Sequence, residues 1–409
     1  MSTLPSVSII VVNWNGRHLL ETCLPSIAAL DYPHGCREVV VFDNGSTDGS
    51  VDWLARWAPE ARVLRSGTNL GFAEACNQAA AASASETVVF LNNDLRVEPL
   101  WLRRMVDALQ VTGAAAAGSR ILDWEGRHYD FDGGAMNFYG HGVSRHHGRR
   151  CTGTGDGETR RTLFACGAAM IVERERFLAS AGFDPDYFAY FEDVDLGWRL
   201  WVEGEEVVYV PSAVAYHRHH GSGMEAARRT KLLERNALAS LVKNYDDANL
   251  AVVFPAALLL LDARAHAAGE VRAAFYREVR TEFLAMLPGL FAKRAVVQAR
   301  RQRADRDIVT LFGEPLRPSF FGRSYWLVQQ EVVQAFGIGR MFGQEDTMTA
   351  HQGLEEFVAD LQGRIEDLER ELAAVRETVA AAEVAHAADR ARLAAEVERL
   401  QRELERVAR

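Results

Sequence analysis

Apolar residues in the first half of the chain follow two alternating patterns. Short apolar runs, Val7 to Val12, Glu38 to Phe42 and Thr87 to Leu91, read as strands, whereas Leu19 to Leu30, Val51 to Trp57 and Phe72 to Ala82 have helical spacing. This rhythm predicts an α/β fold, with a mostly parallel sheet covered by helices. Ligands of such sheets bind beyond the carboxyl ends of the strands, so the residues that follow each strand are the first candidates for function.

The pattern changes at Gly126. From there to Arg161 the chain is dense in Gly, His and Arg, which predicts a mobile excursion over the site rather than core. Strand-like order returns at Thr162 to Val172, followed by a helix at Glu192 to Val202 and a strand at Val207 to Val210. A catalytic domain over 1–245 and a helical accessory region over 246–345 are expected. The longest apolar run of that region, Ala251 to Leu261, contains Pro255 and is about half the ~20 residues that cross a bilayer. It reads as a buried helix, with peripheral membrane contact left open.

The last segment, 346–409, has a different periodicity. Leu354, Val358, Leu361, Ile365, Leu368, Leu372, Val375 and Val379 step alternately by four and three, weaken at His386 and Asp389, and resume from Leu393 to Val407. This is a coiled-coil seam with one stutter, which predicts a homo-oligomer or a partner helix through 354–407. A solvated helix lying on its own domain is the alternative.

Composition narrows the classes. The chain has 409 residues, 48% hydrophobic and 25% charged, which is ordinary for a globular protein. Its net charge of -10 speaks against nucleic acid as a partner and leaves a small nucleotide open. The cysteines, Cys23, Cys36, Cys76, Cys151 and Cys166, are scattered and lack CxxC pairs, which suits a reducing cytoplasm. The amino terminus lacks the basic start and long apolar stretch of a signal peptide.

Polar clusters follow the predicted strands. Asn13-Trp14-Asn15-Gly16 comes after the first and taken alone is a turn signal. After the second stand Asp43 and Asn44; Asp43 can accept from a nucleobase N–H or a ribose hydroxyl, while Ser46, Thr47 and Asp48 read as turn and capping residues. Asn69-Leu70-Gly71, followed by Asn77, offers a glycine turn and a helix amino terminus toward phosphate. Asn92-Asn93-Asp94 ends the next strand where a hard cation bridging a diphosphate can be held.

Further along, Glu192, Asp193 and Asp195 sit among Phe188, Tyr190 and Phe191. A carboxylate against apolar rings can be raised toward the range of a general base. Adjacent helical residues diverge by about 100°, so only one of Glu192 and Asp193 faces a substrate. Asp195 and Arg199 are better read as an i,i+4 ion pair. Histidines cluster at His217, His219 and His220, and one imidazole can complete a metal site begun by Asp94.

In this order and spacing, the segments VSIIVVNWNG, VVVFDNGSTDGS, NLGFAEACNQA, VVFLNNDLRVEP, FACGAAMIVERERF, FDPDYFAYFEDVDLGWRL and AYHRHHGS resemble the family 2 glycosyltransferases of the GT-A fold, especially their rhamnosyltransferase-like branch. The resemblance covers roughly residues 5–245 and implies a Rossmann-like sheet flanked by helices. It implies that Asn13, Asn15, Asp43 and Asn44 line a nucleotide-sugar pocket, with Asn69, Gly71, Asn77, Asn92, Asn93 and Glu192 beside it. Gly167 and Ala168 mark where backbone lets sugar or acceptor approach closely, Asp94 and His217 hold Mg²⁺ or Mn²⁺, and Asp193 is the base of an inverting displacement. Asn92 replaces the first carboxylate of the usual Asp-x-Asp metal motif, which implies a weakly held cation and gives His217 more weight.

The implied partners are a dTDP- or UDP-sugar donor, with rhamnose as first choice, and a saccharide or lipid-linked acceptor in cell-surface polysaccharide synthesis, in the cytoplasm or at the inner face of the membrane. The basic stretches Arg145 to Arg161 and Lys293 to Arg306 suit a lipid diphosphate or anionic surface, or are simply solvated charge. A non-catalytic nucleotide-sugar-binding scaffold organised by the coiled coil is the competing class. A phosphate loop for nucleotidyl transfer is absent, and Gly153, Gly155 and Gly157 lack the spacing and strand of a dinucleotide fingerprint.

Overall fold

The computed structural model describes residues 4–151, 157–218, 224–267, 270–313 and 321–341. The expected coiled coil at 354–407 lies outside them, as do His219 and His220.

The first elements are β1 (Val7–Asn13), α1 (Arg17–Ala28), β2 (Arg37–Asp43), α2 (Ser50–Trp57), β3 (Arg62–Arg65), α3 (Phe72–Ala82) and β4 (Thr87–Leu91). β5 (Leu95–Val97), α4 (Trp101–Thr112) and β6 (Ala116–Asp123) follow. Then come β7 (Tyr129–Phe131), β8 (Gly134–Met136), β9 (Gly142–Ser144), β10 (Arg160–Arg161) and β11 (Ala169–Glu173). α5 (Arg174–Ala179), α6 (Glu192–Val202) and β12 (Val207–His217) complete the sheet region. The helical part contains α7 (Ala226–Asn244), α8 (Asp247–Ala267), α9 (Glu270–Ala299), α10 (Asp305–Ile308), α11 (Arg323–Ala335) and α12 (Ile338–Met341).

The main sheet runs β10-β12-β6-β11-β4-β1-β2-β3, with β5 on β12 and β7 on β6. β1, β2, β3 and β4 are mutually parallel along their pairings, and β11 lies antiparallel between β4 and β6. Because β12 runs parallel to β6, the strands β3, β2, β1, β4, β6 and β12 all point one way. Their carboxyl ends therefore share one edge, and the reversed β11 brings its amino end, with Gly167 and Ala168 just before it, to the same edge. The buried runs explain the order: every residue of β4 is buried, whereas β3 ends in exposed arginines that suit an outer strand. β12 runs past Pro211 because a register shift between Val210 and Val214 accommodates the proline, so His217 is a strand residue rather than part of a following loop.

Two expectations change. The stretch from Gly126 is not a loose excursion: β7 joins the main sheet, β8 and β9 form a hairpin, and Phe131 through His141 are buried. Several of its glycines are packing residues; a Cβ on Gly134 would stand 2.5 Å from the Phe164 ring and one on Gly140 2.4 Å from the Ala237 carbonyl oxygen. The arginine-rich run from Lys293 is also not free surface charge. Arg294 donates to the carbonyls of Val242 and Tyr245, Arg301 to that of Asn244, and Arg303 to that of Glu205. Arg294 and Arg301 thereby cap the carboxyl end of α7, where unpaired carbonyls favour positive groups, while Arg303 holds the turn after α6.

α8 is longer than its apolar run: 21 residues with a mean hydropathy of 1.6 over its most apolar stretch, enough by length and composition to cross a membrane. One face is built into the protein. Val253, Ala256, Ala257, Leu260 and Leu261 are buried, and Arg264 makes a two-pronged bond to Glu234 of α7 at 3.0 and 2.8 Å.

Candidate active site

Asn13 and Asp43 end their strands side by side and are both buried. The Asn13 amide donates to Ser46 Oγ at 3.3 Å and accepts from Asn93 Nδ2 at 2.8 Å, which ties the end of β1 to the turn after β4. Gly16 lies under this link; a Cβ there would come 2.3 Å from Asn93 Nδ2. Asn15 sits at φ 49°, with its Oδ1 accepting the Thr47 N–H at 2.7 Å. Asp43 Oδ2 accepts the Ser46 N–H at 3.3 Å, but Oδ1 is buried without a partner.

Asn44 holds the next loop. Its Oδ1 accepts the Leu70 N–H at 2.8 Å, while Nδ2 donates to Asn69 Oδ1 at 3.1 Å and to the Gly71 carbonyl at 3.0 Å. The expected phosphate contact at the start of α3 does not fit this geometry. The N–H groups of Phe72 and Ala73 both donate to the Phe188 carbonyl, at 2.6 and 3.3 Å, so that helix end is already capped by protein. A Cβ on Gly71, at φ 86°, would stand 2.5 Å from the same oxygen. Asn77 is also internal, accepting from the Phe183 N–H at 2.9 Å and donating to the Phe183 carbonyl at 2.7 Å.

The turn after β4 leads to the metal candidates. The Asn92 N–H donates to the Ala168 carbonyl at 2.9 Å, and Asp94 follows with Oδ1 buried and partnerless. Its Oδ2 is 3.2 Å from Nε2 of His217, whose Nδ1 lies 2.6 Å from Asp130 Oδ2. Burial opposes a charged imidazole, but the Asp130 and Asp94 carboxylates overcome it and push His217 up to about 10. Asp130 on β7 is a residue that the sequence did not single out. A carboxylate that fixes one nitrogen of a ligand histidine leaves the other directed at a cation.

Among the described residues no group of three or more His, Cys, Asp and Glu forms a metal cage. Two protein donors and an orphaned Asp94 oxygen nevertheless fit Mg²⁺ or Mn²⁺, which keep positions for phosphate oxygens. Asp94 and His217 would hold the ion.

Glu192 and Asp193 open α6. Asp193 is partly exposed; its Oδ2 accepts the Gly167 N–H and its Oδ1 the Val194 N–H, both at 2.8 Å. Gly167 therefore orients this carboxylate through its backbone. Burial raises Asp193, and those N–H donors oppose the rise. Burial, with the Asp193 charge behind it, pushes the buried Glu192 well above the carboxylate range, and its Oε2 has no partner. The helix amino terminus and two donors favour charge on Asp193, so in this coupled pair Glu192 keeps the proton and Asp193 carries the charge.

The loop leading into α6 is strained. Phe188, Tyr190 and Phe191 have φ of 64°, 68° and 65°, a region that costs a bulky residue about 1–3 kcal/mol. Such strain persists only where surrounding contacts over-determine it.

Asp195, by contrast, is structural, as its spacing to Arg199 suggests. It pairs with Arg199 at 2.8 Å and Lys243 at 2.9 Å, and Lys243 also reaches Asp184 at 2.6 Å. Although burial opposes it, these cations hold both carboxyls below their usual range. Lys243→Met should lower unfolding stability by about 3 kcal/mol in a urea titration at neutral pH. Depressed carboxylates lend stability above their unfolded pKa and lose it as pH falls, so the deficit should shrink below about pH 4. A deficit that did not change with pH would refute this account.

A model of glycosyl transferase family 2 matches residues 8–175. The N-acetylglucosaminyl-diphospho-decaprenol L-rhamnosyltransferase of Mycobacterium tuberculosis (strain H37Rv) is 31% identical over 243 residues, covering 54% of this chain and 78% of that protein. O-antigen biosynthesis protein RfbC of Myxococcus xanthus is 33% identical over 226 residues, covering 53% of this chain and 18% of that protein. Among solved structures, S. aureus TarS 1-349 in complex with UDP-GlcNAc is similar with a TM-score of 0.50 at 14% identity, covering 83% of this chain and 92% of that one. GalNAc-T7 with UDP, GalNAc and Mn²⁺ gives 0.50 at 16% identity, covering 69% of this chain and 55% of that one. With a sheet of the same kind and its polar groups gathered at one edge, the chain belongs to glycosyltransferase family 2, in the rhamnosyltransferase-like branch of the GT-A fold.

Proposed function

We propose that this enzyme transfers a sugar, with rhamnose as first choice, from a nucleotide diphosphate donor to a saccharide or lipid-linked acceptor, inverting the anomeric centre in one displacement. One observation carries the reading. Among the described residues, the buried carboxylate oxygens without a partner belong to Asp43, Asp94 and Glu192, at the carboxyl edge of the sheet and the head of α6. Unsatisfied buried acceptors call for an explanation, and a nucleoside donor group, a cation and a proton supply one.

In this scheme Asp43 accepts from the base or ribose, and Asn13 and Asn15 form the wall beside it. Asn44, Asn69, Gly71, Asn77 and Asn93 act by holding that wall in place. Asn92 and Ala168 fix the spacing between the metal turn and the acceptor side, and Gly167 aims Asp193 at the acceptor hydroxyl, from which it takes the proton. When bound at Asp94 and His217, a divalent cation neutralises charge on the departing diphosphate. The mycobacterial relative is named for L-rhamnose and an N-acetylglucosaminyl-diphospho-decaprenol acceptor, which supports that donor sugar and a lipid-linked acceptor.

The test is a panel of dTDP-rhamnose, UDP-sugars and GDP-sugars given to the full chain with Mg²⁺ or Mn²⁺. Release of nucleoside diphosphate, fastest with dTDP-rhamnose, is expected. No release and no nucleotide binding with any donor would overturn the reading.

A further inference from the structure

We infer that Asn236 of α7 is a positioning residue for transfer, one that holds the strained loop and so sets the base and the donor-side helix as a unit. The inference rests on the reading of Asp193 as base. Asn236 is fully buried, and its single Nδ2 group points at three carbonyls of the loop: Tyr187 at 3.2 Å, Ala189 at 3.0 Å and Tyr190 at 2.7 Å. Its neighbour Arg235 donates to the carbonyls of Asp186 and Tyr187 at 2.9 and 3.2 Å.

Those bonds fall on the segment that contains Phe188, Tyr190 and Phe191 in the left-handed region. None of the three is glycine, so the local chain prefers another conformation and external bonds must hold this one. Two consequences follow from where the loop leads. Phe191 is the capping residue of α6, two residues before Asp193, and the Phe188 carbonyl caps α3 behind the Asn44 and Gly71 loop. Releasing the loop therefore loosens the aim of Asp193 and the donor-side wall together. The hairpin seats the loop from the other side: a Cβ on Gly142 would stand 3.2 Å from the Phe191 ring. Because Glu234, two residues before Asn236, binds His141 beside that hairpin at 3.1 Å, the consecutive residues Glu234, Arg235 and Asn236 of α7 grip both.

The test compares Asn236→Ala with the wild-type full chain, both assayed for kcat, donor KM and the pH profile of kcat, per mole of folded enzyme. Expected are a fall in kcat of about 30-fold, consistent with a small displacement of a reacting group, a rise in donor KM of about 3- to 10-fold as the donor-side wall loosens with it, and an acid limb moved to higher pH as Asp193 loses its hold on the Gly167 N–H. Adding Tyr190→Gly should recover at least about 5-fold in kcat, because glycine takes a positive φ without being held there. If Asn236→Ala does not fold, Arg235→Met removes the outer two bonds and the two that Arg235 donates to Asn236 Oδ1, at 3.0 Å each, while keeping the three from Asn236 Nδ2, and should show the same pattern with a smaller fall, about 5-fold. A variant that is less stable but keeps kcat within about 2-fold and an unmoved acid limb sinks the inference. Wild-type protein that transfers no sugar would instead sink the function on which it rests.

Discussion

Asp193→Asn should lower kcat by about 10²- to 10⁴-fold, the range over which a positioned general base acts, while donor KM stays within about 3-fold. The amide is nearly isosteric, and its oxygen can still accept the Gly167 N–H at the site where Oδ2 now does. What it loses is the capacity to take a proton, together with the acceptor for the Val194 N–H. A pH profile of wild-type kcat supplies the second half of the prediction. Asp193 must be ionised to act and burial raises it, so turnover should fall as pH drops through a value above about 4, the ordinary aspartate range. Near-normal transfer by the asparagine variant would assign the base elsewhere.

Asp94→Ala should cost on the order of 10³-fold in kcat/KM and remove most Mn²⁺ binding measured by electron paramagnetic resonance with nucleoside diphosphate present. Among the described residues, Asp94 and His217 are the two proposed ligands here, with Asn92 in place of a further carboxylate, so a large loss is expected. Asp130→Asn grades the same experiment: it leaves both ligands but slackens the 2.6 Å bond that orients His217, and should weaken Mn²⁺ by about 10- to 100-fold. Unchanged Mn²⁺ affinity in Asp94→Ala would move the cation to other ligands.

The elements around the site could be read from the chain where local pattern and tertiary role coincide. β4, α3 and α6 have the bounds that their apolar spacing predicts, because each is a regular element pressed against the core. Asp43 and Asp94 stand out as candidates because each follows an apolar run, and Asp193 because it lies among aromatic residues. Other parts depend on contacts far apart in sequence. Asp130 lies 87 residues from His217, in a stretch whose glycines and histidines mimic a loop although its backbone pairs with β6. Asn236 looks like any polar residue of a helix, and nothing in a run of aromatic residues reveals left-handed backbone. The reverse error occurred at Gly71, where a glycine before a helix resembles a phosphate cradle until Phe188 is found across it.

The arginines that close the carboxyl end of α7 bear on how this enzyme can vary through descent. The stretch that the family model matches ends at residue 175, yet Asp184 depends on Lys243 and Lys293, and α7 on Arg294 and Arg301. A chain cut near residue 245 should leave buried acceptors bare and fail to accumulate as soluble protein. Recombination that swapped the helical part for a foreign one would meet the same barrier, so in this lineage the two stretches should be inherited as a single block rather than exchanged as cassettes.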